Sequence, residues 1–206
     1  MRYTGPRNRI ARREGIDLGF KTLGSKTHER LLKKLSVPPG QHGTRRRRKL
    51  SDHARQLREK QKLRYLFQLN EKQLKKYFKK AAFKKGNTAI YLAKFLEKRL
   101  DNVVFRAGLS PTRASARQLV VHGHIKVNDK KVSIPSYQIK KDDIITFSNE
   151  AVMKVSYIEK MLASKDILLP NWLEKKATVS KIVAEPTNAE IEKQINLRLV
   201  IEHYSR

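Results

Sequence analysis

Apolar residues are few and aperiodic over residues 1–50, recur at helical spacing from Ser51 to Val121, and then begin to alternate. In the first stretch Gly5-Pro6, Pro38-Pro39-Gly40 and Gly43 punctuate the chain. A short helix over Lys26–Leu35 is predicted there, and the rest reads as extended. Ser51 is a helix cap, with Ala54, Leu57, Gln61 and Arg64 on one face and Leu63, Leu66 and Phe67 on a neighbouring stripe. Asn70 with Gln73 forms a capping-box pattern, followed in phase by Leu74, Phe78, Ala81 and Ala82. Gly86 suits a left-handed residue after a helix end. Asn87 or Thr88 then caps a helix through Ala89, Ala93, Leu96 and Leu100, whose apolar face continues at Val103, Val104 and Leu109. Ser110-Pro111 predicts a capped helix over 111–121, stopping at Gly123.

Thereafter Ile125 and Val127, with Val132 and Ile134, flank an Asn128-Asp129-Lys130 turn, as in a hairpin. Gln138–Lys140 and Ile144–Phe147 read as strands separated by the Lys141–Asp143 turn. Residues 151–186 are mixed. Thr187 and Glu190 form a second capping box, Ile191 and Ile195 lie on its helix, and Leu197, Leu199 and Ile201 alternate to the end. The class is therefore α+β, mostly helical in the first half.

Charge changes the picture. Lys and Arg number 47 against 19 Asp and Glu, a net +28. Residues 1–50 carry +12 and 51–100 carry +11, against +3 and +2 for 101–150 and 151–206. Such density repels itself unless a polyanion neutralises it, and nucleic acid is the expected polyanion. No apolar run approaches the ~20 residues of a membrane span, and the basic start lacks the apolar stretch of a secretory signal. A soluble, cytoplasmic compartment is expected, with no membrane partner. The absence of cysteine excludes disulfides and thiolate metal sites.

Arg45, Arg46, Arg47, Arg48 and Lys49 are five consecutive cations. They suit a phosphate backbone; the alternatives are a solvated run or a nuclear-targeting signal. Arg55, Arg58 and Lys62 continue the surface as one helical stripe, with only Asp52 and Glu59 nearby to pair with. Arg113 and Arg117 project from the start of a helix, where anions are favoured; a solvated face explains them equally well. Tyr65, Phe67, Tyr77, Phe78, Tyr91, Phe95 and Phe105 could stack on bases, but their spacing fits core packing better. His122-x-His124 is the one metal-like spacing and lacks a third ligand, and Gln41-His42-Gly43 lacks a nucleophile or an acid. No phosphate-loop or dinucleotide glycine pattern is present. No enzyme, metal or cofactor is predicted.

Several segments resemble the family of protein four of the bacterial small ribosomal subunit, in a cysteine-free form. They are Pro39-Gly40-Gln41-His42-Gly43, Leu50-Ser51-Asp52, Gln56-Leu57-Arg58-Glu59-Lys60-Gln61-Lys62 and Lys85-Gly86-Asn87-Thr88. So are Leu96-Glu97-Lys98-Arg99-Leu100-Asp101-Asn102-Val103-Val104, Ser136-Tyr137-Gln138, Trp172-Leu173-Glu174 and Glu202-His203-Tyr204-Ser205. Thr112-Arg113-Ala114, with Ala116-Arg117-Gln118-Leu119-Val120 and Val127-Asn128, resembles the small RNA-binding module named after that protein.

The resemblance implies a basic extended segment (1–50), a helical domain (51–94) joined by the C-terminal helix, with 187–206 packing back, an inserted module (95–157) of helices on a small antiparallel sheet, and a C-terminal segment (158–206). It implies early binding to a multi-helix junction of small-subunit ribosomal RNA. It also implies contact with messenger RNA at the mouth of its channel through Arg45–Lys49. A further contact, with small-subunit protein five through Ser51–Lys62 and the C-terminal segment, would tune accuracy. Some relatives repress their own operon. Zinc-binding members carry a cysteine where Ala11 stands here, so Arg9, Arg12 and Arg13 are expected to be ordered by RNA instead. With Arg99 and Lys126, these complete the expected RNA contacts. DNA is not expected as a partner, and the ribosome would be cytoplasmic, with an organellar one left open. The rivals are an RNA-modifying enzyme carrying the module, a nonspecific nucleic-acid-binding protein that compacts DNA, and a free translational repressor.

Overall fold

A computed structural model describes residues 5–43, 49–163, 169–176, 178–186, 191 and 194–205. The chain divides into two compact units, Met1–Ala93 with Asn188–Arg206, and Lys94–Thr187.

The first unit is helical. Residues Arg7–Glu14 form helix α1, where the sequence reads as extended after Gly5-Pro6. Pro6 and Gly15 delimit the helix. Pro6 supplies the extended N-cap, and Gly15, at φ +69°, closes the end by donating its N–H to the Ala11 carbonyl. Helix α2 (Lys26–Lys33) starts where Ser25 Oγ accepts from the His28 N–H. The N-terminal fifty residues are thus not simply extended. Helix α3 (Asp52–Leu66) is capped by Ser51 as predicted, its Oγ accepting from the Ala54 N–H. Helix α4 (Glu71–Ala82) begins at Asn70, whose N–H donates to Gln73 Oε1. Asn87 caps α5 (Thr88–Glu97), its Oδ1 accepting from the Ala89 N–H.

At the end of the chain the helix implied by the resemblance is present, and the strand-like alternation is corrected. Leu197, Leu199 and Ile201 alternate like a strand, yet Leu197–Tyr204 is a helix, α10. Asn196 caps it through the N–H groups of Arg198 and Leu199. It packs on α3 and α4, and that packing outweighs a three-residue alternation. The buried face of α3 is Gln56, Lys60, Leu63 and Leu66, not the Ala54–Leu57 stripe. Two of these are polar because partners meet them: Gln56 donates to Glu202, and Lys60 to Glu71, at 3.1 Å each. Tyr204 donates its hydroxyl to Glu71 at 2.7 Å and stacks on Phe78, ring centroids 4.9 Å apart. Burial would raise the Glu71 carboxyl, but the hydrogen bonds from Tyr204 and Lys60 outweigh it and hold the group below its ordinary value. Burial and this carboxylate together push the Tyr204 phenol upward. Tyr204→Phe keeps the ring and deletes the donor. It is expected to cost the first unit about 1.5 kcal/mol, read by circular dichroism in a urea titration; an unchanged midpoint would refute the bond's role.

The second unit packs α6 (Leu100–Arg106) against α7 (Arg113–Val121) and builds one antiparallel sheet. The strands are β1 (Ile125–Val127), β2 (Lys130–Lys131), β3 (Ile144–Phe147), β4 (Leu173–Lys176) and β5 (Val179–Ile182), ordered β2-β1-β3-β5-β4. The short helices α8 (Glu150–Met153) and α9 (Ser156–Ala163) lie between β3 and β4 in sequence. Asn128 and Asp129, at φ +48° and +62°, make the two-residue turn of a right-twisted hairpin. The core joins Leu100, Val103, Val104, Leu109, Leu119, Ile125, Ile145, Ile158 and Trp172.

Four expectations change here. The second arm of the hairpin is Lys130–Lys131 and not the Val132–Ile134 run. The cap of α7 is Thr112, not Ser110: its Oγ1 accepts from the Ser115 N–H, while Ser110 is buried. Gln138–Lys140 forms only a bridge from Gln138 to Arg99. The sheet does not end with the module at 157, because β5 pairs with β3 through Ile144–Lys181 and Ile145–Ser180. The capping box at Thr187 and Glu190 lies outside the described residues.

Candidate nucleic-acid interface

In the first unit, Arg9 and Arg13 are exposed on α1, whereas Arg12 turns inward. Its guanidinium donates to the carbonyls of Val37 and Pro38 at 2.9 and 3.1 Å, bracing the Pro-Pro-Gly loop against α1. Arg58 reaches Glu14 at 3.1 Å, a carboxylate whose side chain is only 1% exposed. Burial pushes the Glu14 carboxyl up, and Arg58 opposes that rise. This pair fastens α1 to α3 and brings Arg13 together with Arg55 and Arg58 around one cleft of about 810 Å³, whose lining includes Lys62 and the carboxylates Glu14 and Glu59.

Arg55 is exposed and only loosely paired with Asp52 at 3.6 Å. Lys62 is held by Glu59 at 2.6 Å and is mostly covered. Lys49 is exposed, while Arg45–Arg48 lie outside the described residues.

The sequence reading missed a second basic face. Lys72, Lys75, Lys76, Lys79 and Lys80 are all exposed on α4, opposite buried Leu74 and Ala81, and line one shallow depression. The signal was present as lysines three, four, seven and eight residues from Lys72, a single helical face.

In the second unit the predicted arginines divide. Arg99 is 1% exposed and grips Asp101 with two hydrogen bonds, Nε–Oδ1 at 3.0 Å and Nη2–Oδ2 at 2.6 Å. Arg113 is also buried. It donates to Asn102 Oδ1 at 3.0 Å and lies 4.4 Å over the Phe105 ring. Both are corrected from surface contacts to internal roles: Arg113 ties α7 to α6, and Arg99 closes on Asp101 at the start of α6. The cause is the local density of acceptors: Glu97, Asp101 and Asn102 all face inward. Arg106 completes the network on Glu97 at 2.9 Å. Arg117 touches Asp101 at 3.2 Å with a quarter of its side chain exposed, so it lies at the edge of the network.

Lys126 is half-buried on β1, directly opposite Lys131, with Lys130 beside it on β2. Like charges across a ladder repel, and a bound anion relieves them; Lys130 and Lys131 were also missed. Lys94 and Lys98 are instead clamped on Glu185, whose carboxyl their hydrogen bonds hold at about 2.

The rings of His122 and His124 stack, centroids 6.0 Å apart. Among the described residues no group of three His, Asp or Glu gathers around them or elsewhere in metal-binding geometry. No described helix is long and apolar enough to cross a membrane.

What this arrangement can do chemically is neutralise phosphates: its cations stand on helices α1, α3 and α4 and on the β1–β2 hairpin.

Residues 2–97 match the family described as Ribosomal protein S4/S9 N-terminal domain, and residues 98–145 match the S4 domain. The chain is 44% identical over 208 residues to "Small ribosomal subunit protein uS4" of Xanthomonas campestris pv. campestris (strain B100), covering 100% of this chain and 99% of that protein. It is 40% identical over 207 residues to the protein of the same name from Pelodictyon phaeoclathratiforme (strain DSM 5477 / BU-1), and 41% to that of Chlorobium phaeovibrioides (strain DSM 265 / 1930), with the same coverage. Identity at this level along the whole chain, on a helical unit followed by an S4 domain, places the protein in the uS4 family of small-subunit ribosomal proteins.

Proposed function

We propose that this protein binds small-subunit ribosomal RNA directly and early, and nucleates folding of the subunit body. The family is structural and non-enzymatic, and the chain is accordingly an RNA-binding constituent of the small subunit. The observation that carries the finer reading is the charge of the first hundred residues, which hold +23 of the net +28. A surface of this kind is neutralised by a folded polyanion, not by a small ligand. Arg9, Arg13, Lys49, Arg55 and Arg58 would contact phosphates from the first unit. Arg117 and Lys126 would do so from the second. Arg12, Lys62, Arg99 and Arg113 would position the surface from within.

Arg45–Lys49 would face the messenger near the mouth of its channel. The first unit also has a cleft of about 780 Å³ between α3 and α10, lined by Glu59, Asn196, Arg198, Ile201 and Glu202. Its lining mixes apolar Ile201 with carboxylates already paired to Lys62 and Arg198, a surface suited to a protein. Small-subunit protein five would dock there and tune decoding accuracy. The place of work is then the ribosome, in the cytoplasm.

Purified protein mixed with small-subunit ribosomal RNA transcripts, without other proteins, should form a complex that cross-links through both units. Equal affinity for duplex DNA would favour the rival of nonspecific binding, and absence from salt-washed subunits would favour a free repressor.

A further inference from the structure

Phe83 is 94% exposed, the most exposed large apolar side chain among the described residues. It is not on a loose loop. It is the C-cap residue of α4 in helical conformation, and its N–H donates to the Lys79 carbonyl at 3.1 Å. The turn after it is held from one side. The Tyr91 hydroxyl donates to the Lys85 carbonyl at 3.2 Å, and the Tyr91 ring packs so closely under Gly86 that a Cβ there would come within 3.2 Å. Lys84 sits over the same ring at 5.4 Å. The fold therefore holds the backbone that carries this aromatic side chain into water at the end of α4.

Its neighbours say what it faces. Residues three and four apart share a helix face, so Phe83 continues the row Lys72, Lys76, Lys79 and Lys80. This row spans about 16 Å at the helical rise. None of the seven aromatics weighed from the sequence was this one. From this juxtaposition we infer that Phe83 is a stacking platform for an unpaired nucleobase, with the α4 lysines following the phosphates of the same strand. The inference rests on the RNA-binding reading above and adds a residue that touches a base.

A protein partner would want this patch less. The cores of protein interfaces are depleted in lysine, whereas single-stranded RNA is held by the combination present here, a cationic track beside an exposed aromatic face. Stacking tolerates any base, so the platform confers preference for unpaired over paired RNA and not for sequence.

The test uses the full chain with two probes, a small-subunit ribosomal RNA transcript and single-stranded oligoadenylate, and the variants Phe83→Ala, Phe83→Leu and Phe83→Trp. All three alter a side chain in water and leave the core untouched. Phe83→Ala should weaken oligoadenylate binding about tenfold with an unchanged salt slope, because no charge is lost. Phe83→Leu should not rescue it, being apolar but not planar. Phe83→Trp should bind at least as well as the parent, and its added indole should be quenched by oligoadenylate beyond the response of buried Trp172 alone. If Phe83→Ala binds both probes as the parent does, the stacking assignment falls and the RNA-binding reading stands. Wild-type affinity in Phe83→Leu also overturns stacking, pointing to a plain apolar contact with another protein. If the parent binds neither probe, the reading beneath fails first and takes this one with it.

Discussion

Asp101→Ala is expected to lower the stability of the second unit by about 3–5 kcal/mol, the range found when one partner of a buried ion pair is removed. Asp101 accepts both hydrogen bonds of the buried Arg99 fork, a third from Arg117 at 3.2 Å and a fourth from the Asn102 N–H at 2.9 Å. Without it the Arg99 guanidinium stays inside, charged and short of the two hydrogen bonds that Asp101 accepted, since arginine does not shed its proton. A domain has only about 5–15 kcal/mol in total, so this loss should leave α6 and α7 unfolded over much of a urea titration. Trp172, the chain's single tryptophan, is buried in the same core and reports on it directly. Its fluorescence transition should move to much lower urea. Arg117→Ala is the control. That side chain is a quarter exposed, and its removal leaves Asp101 paired with Arg99, so about 1 kcal/mol or less is expected. Equal midpoints for Asp101→Ala and the parent would show that the network does not hold the unit together.

The second large effect is on binding. With about eight phosphates neutralised, log affinity for ribosomal RNA should fall against log salt with a slope of about −6 to −7. Raising salt from about 50 to 200 mM then weakens the complex by about 10³–10⁵. Changing Lys72, Lys75, Lys76, Lys79 and Lys80 to glutamine should flatten that slope by about 1 for every phosphate left unneutralised. Weaker binding without a change of slope would mean that the lysines act through folding. Circular dichroism of the variant separates the two cases, and α4 should stay helical because its buried residues are untouched. A parent slope near zero in filter binding would remove the electrostatic mechanism altogether.

Basic side chains serve opposite ends in this chain, as buried ties and as a surface for phosphates. Arginine at 99 and 113 looks, in sequence, like arginine at 55 and 58. Its role is decided by where the acceptors are. Asp101 and Asn102 stand next to Arg99 along the chain, but only the packing of α6 on α7 buries them together and brings Arg113 onto Asn102. The α4 lysines were legible as a face, but they are spread over nine residues, and the five-cation run at 45–49 is the denser signal. Phe83 was hidden for a different reason. An isolated phenylalanine in a helical run reads as core, and nothing local says that the helix ends with that ring outside.

What the amino-acid order determined by itself is what depends on neighbours a few residues apart. It set the caps at Ser51, Asn70 and Asn87, the left-handed turn at Asn128-Asp129, the α+β class and the basic front half. Capping and turn geometry are closed within one helical turn or one hairpin, so a short window contains all the partners. Tertiary structure alone decided that β5 extends the sheet beyond the module, and that Gln56, Lys60 and Arg113 face inward. In each case the deciding partner is a burial surface or a hydrogen-bonding group supplied by another element of the fold. A buried polar group is stable only where such a partner meets it, and that meeting is a property of the packed fold.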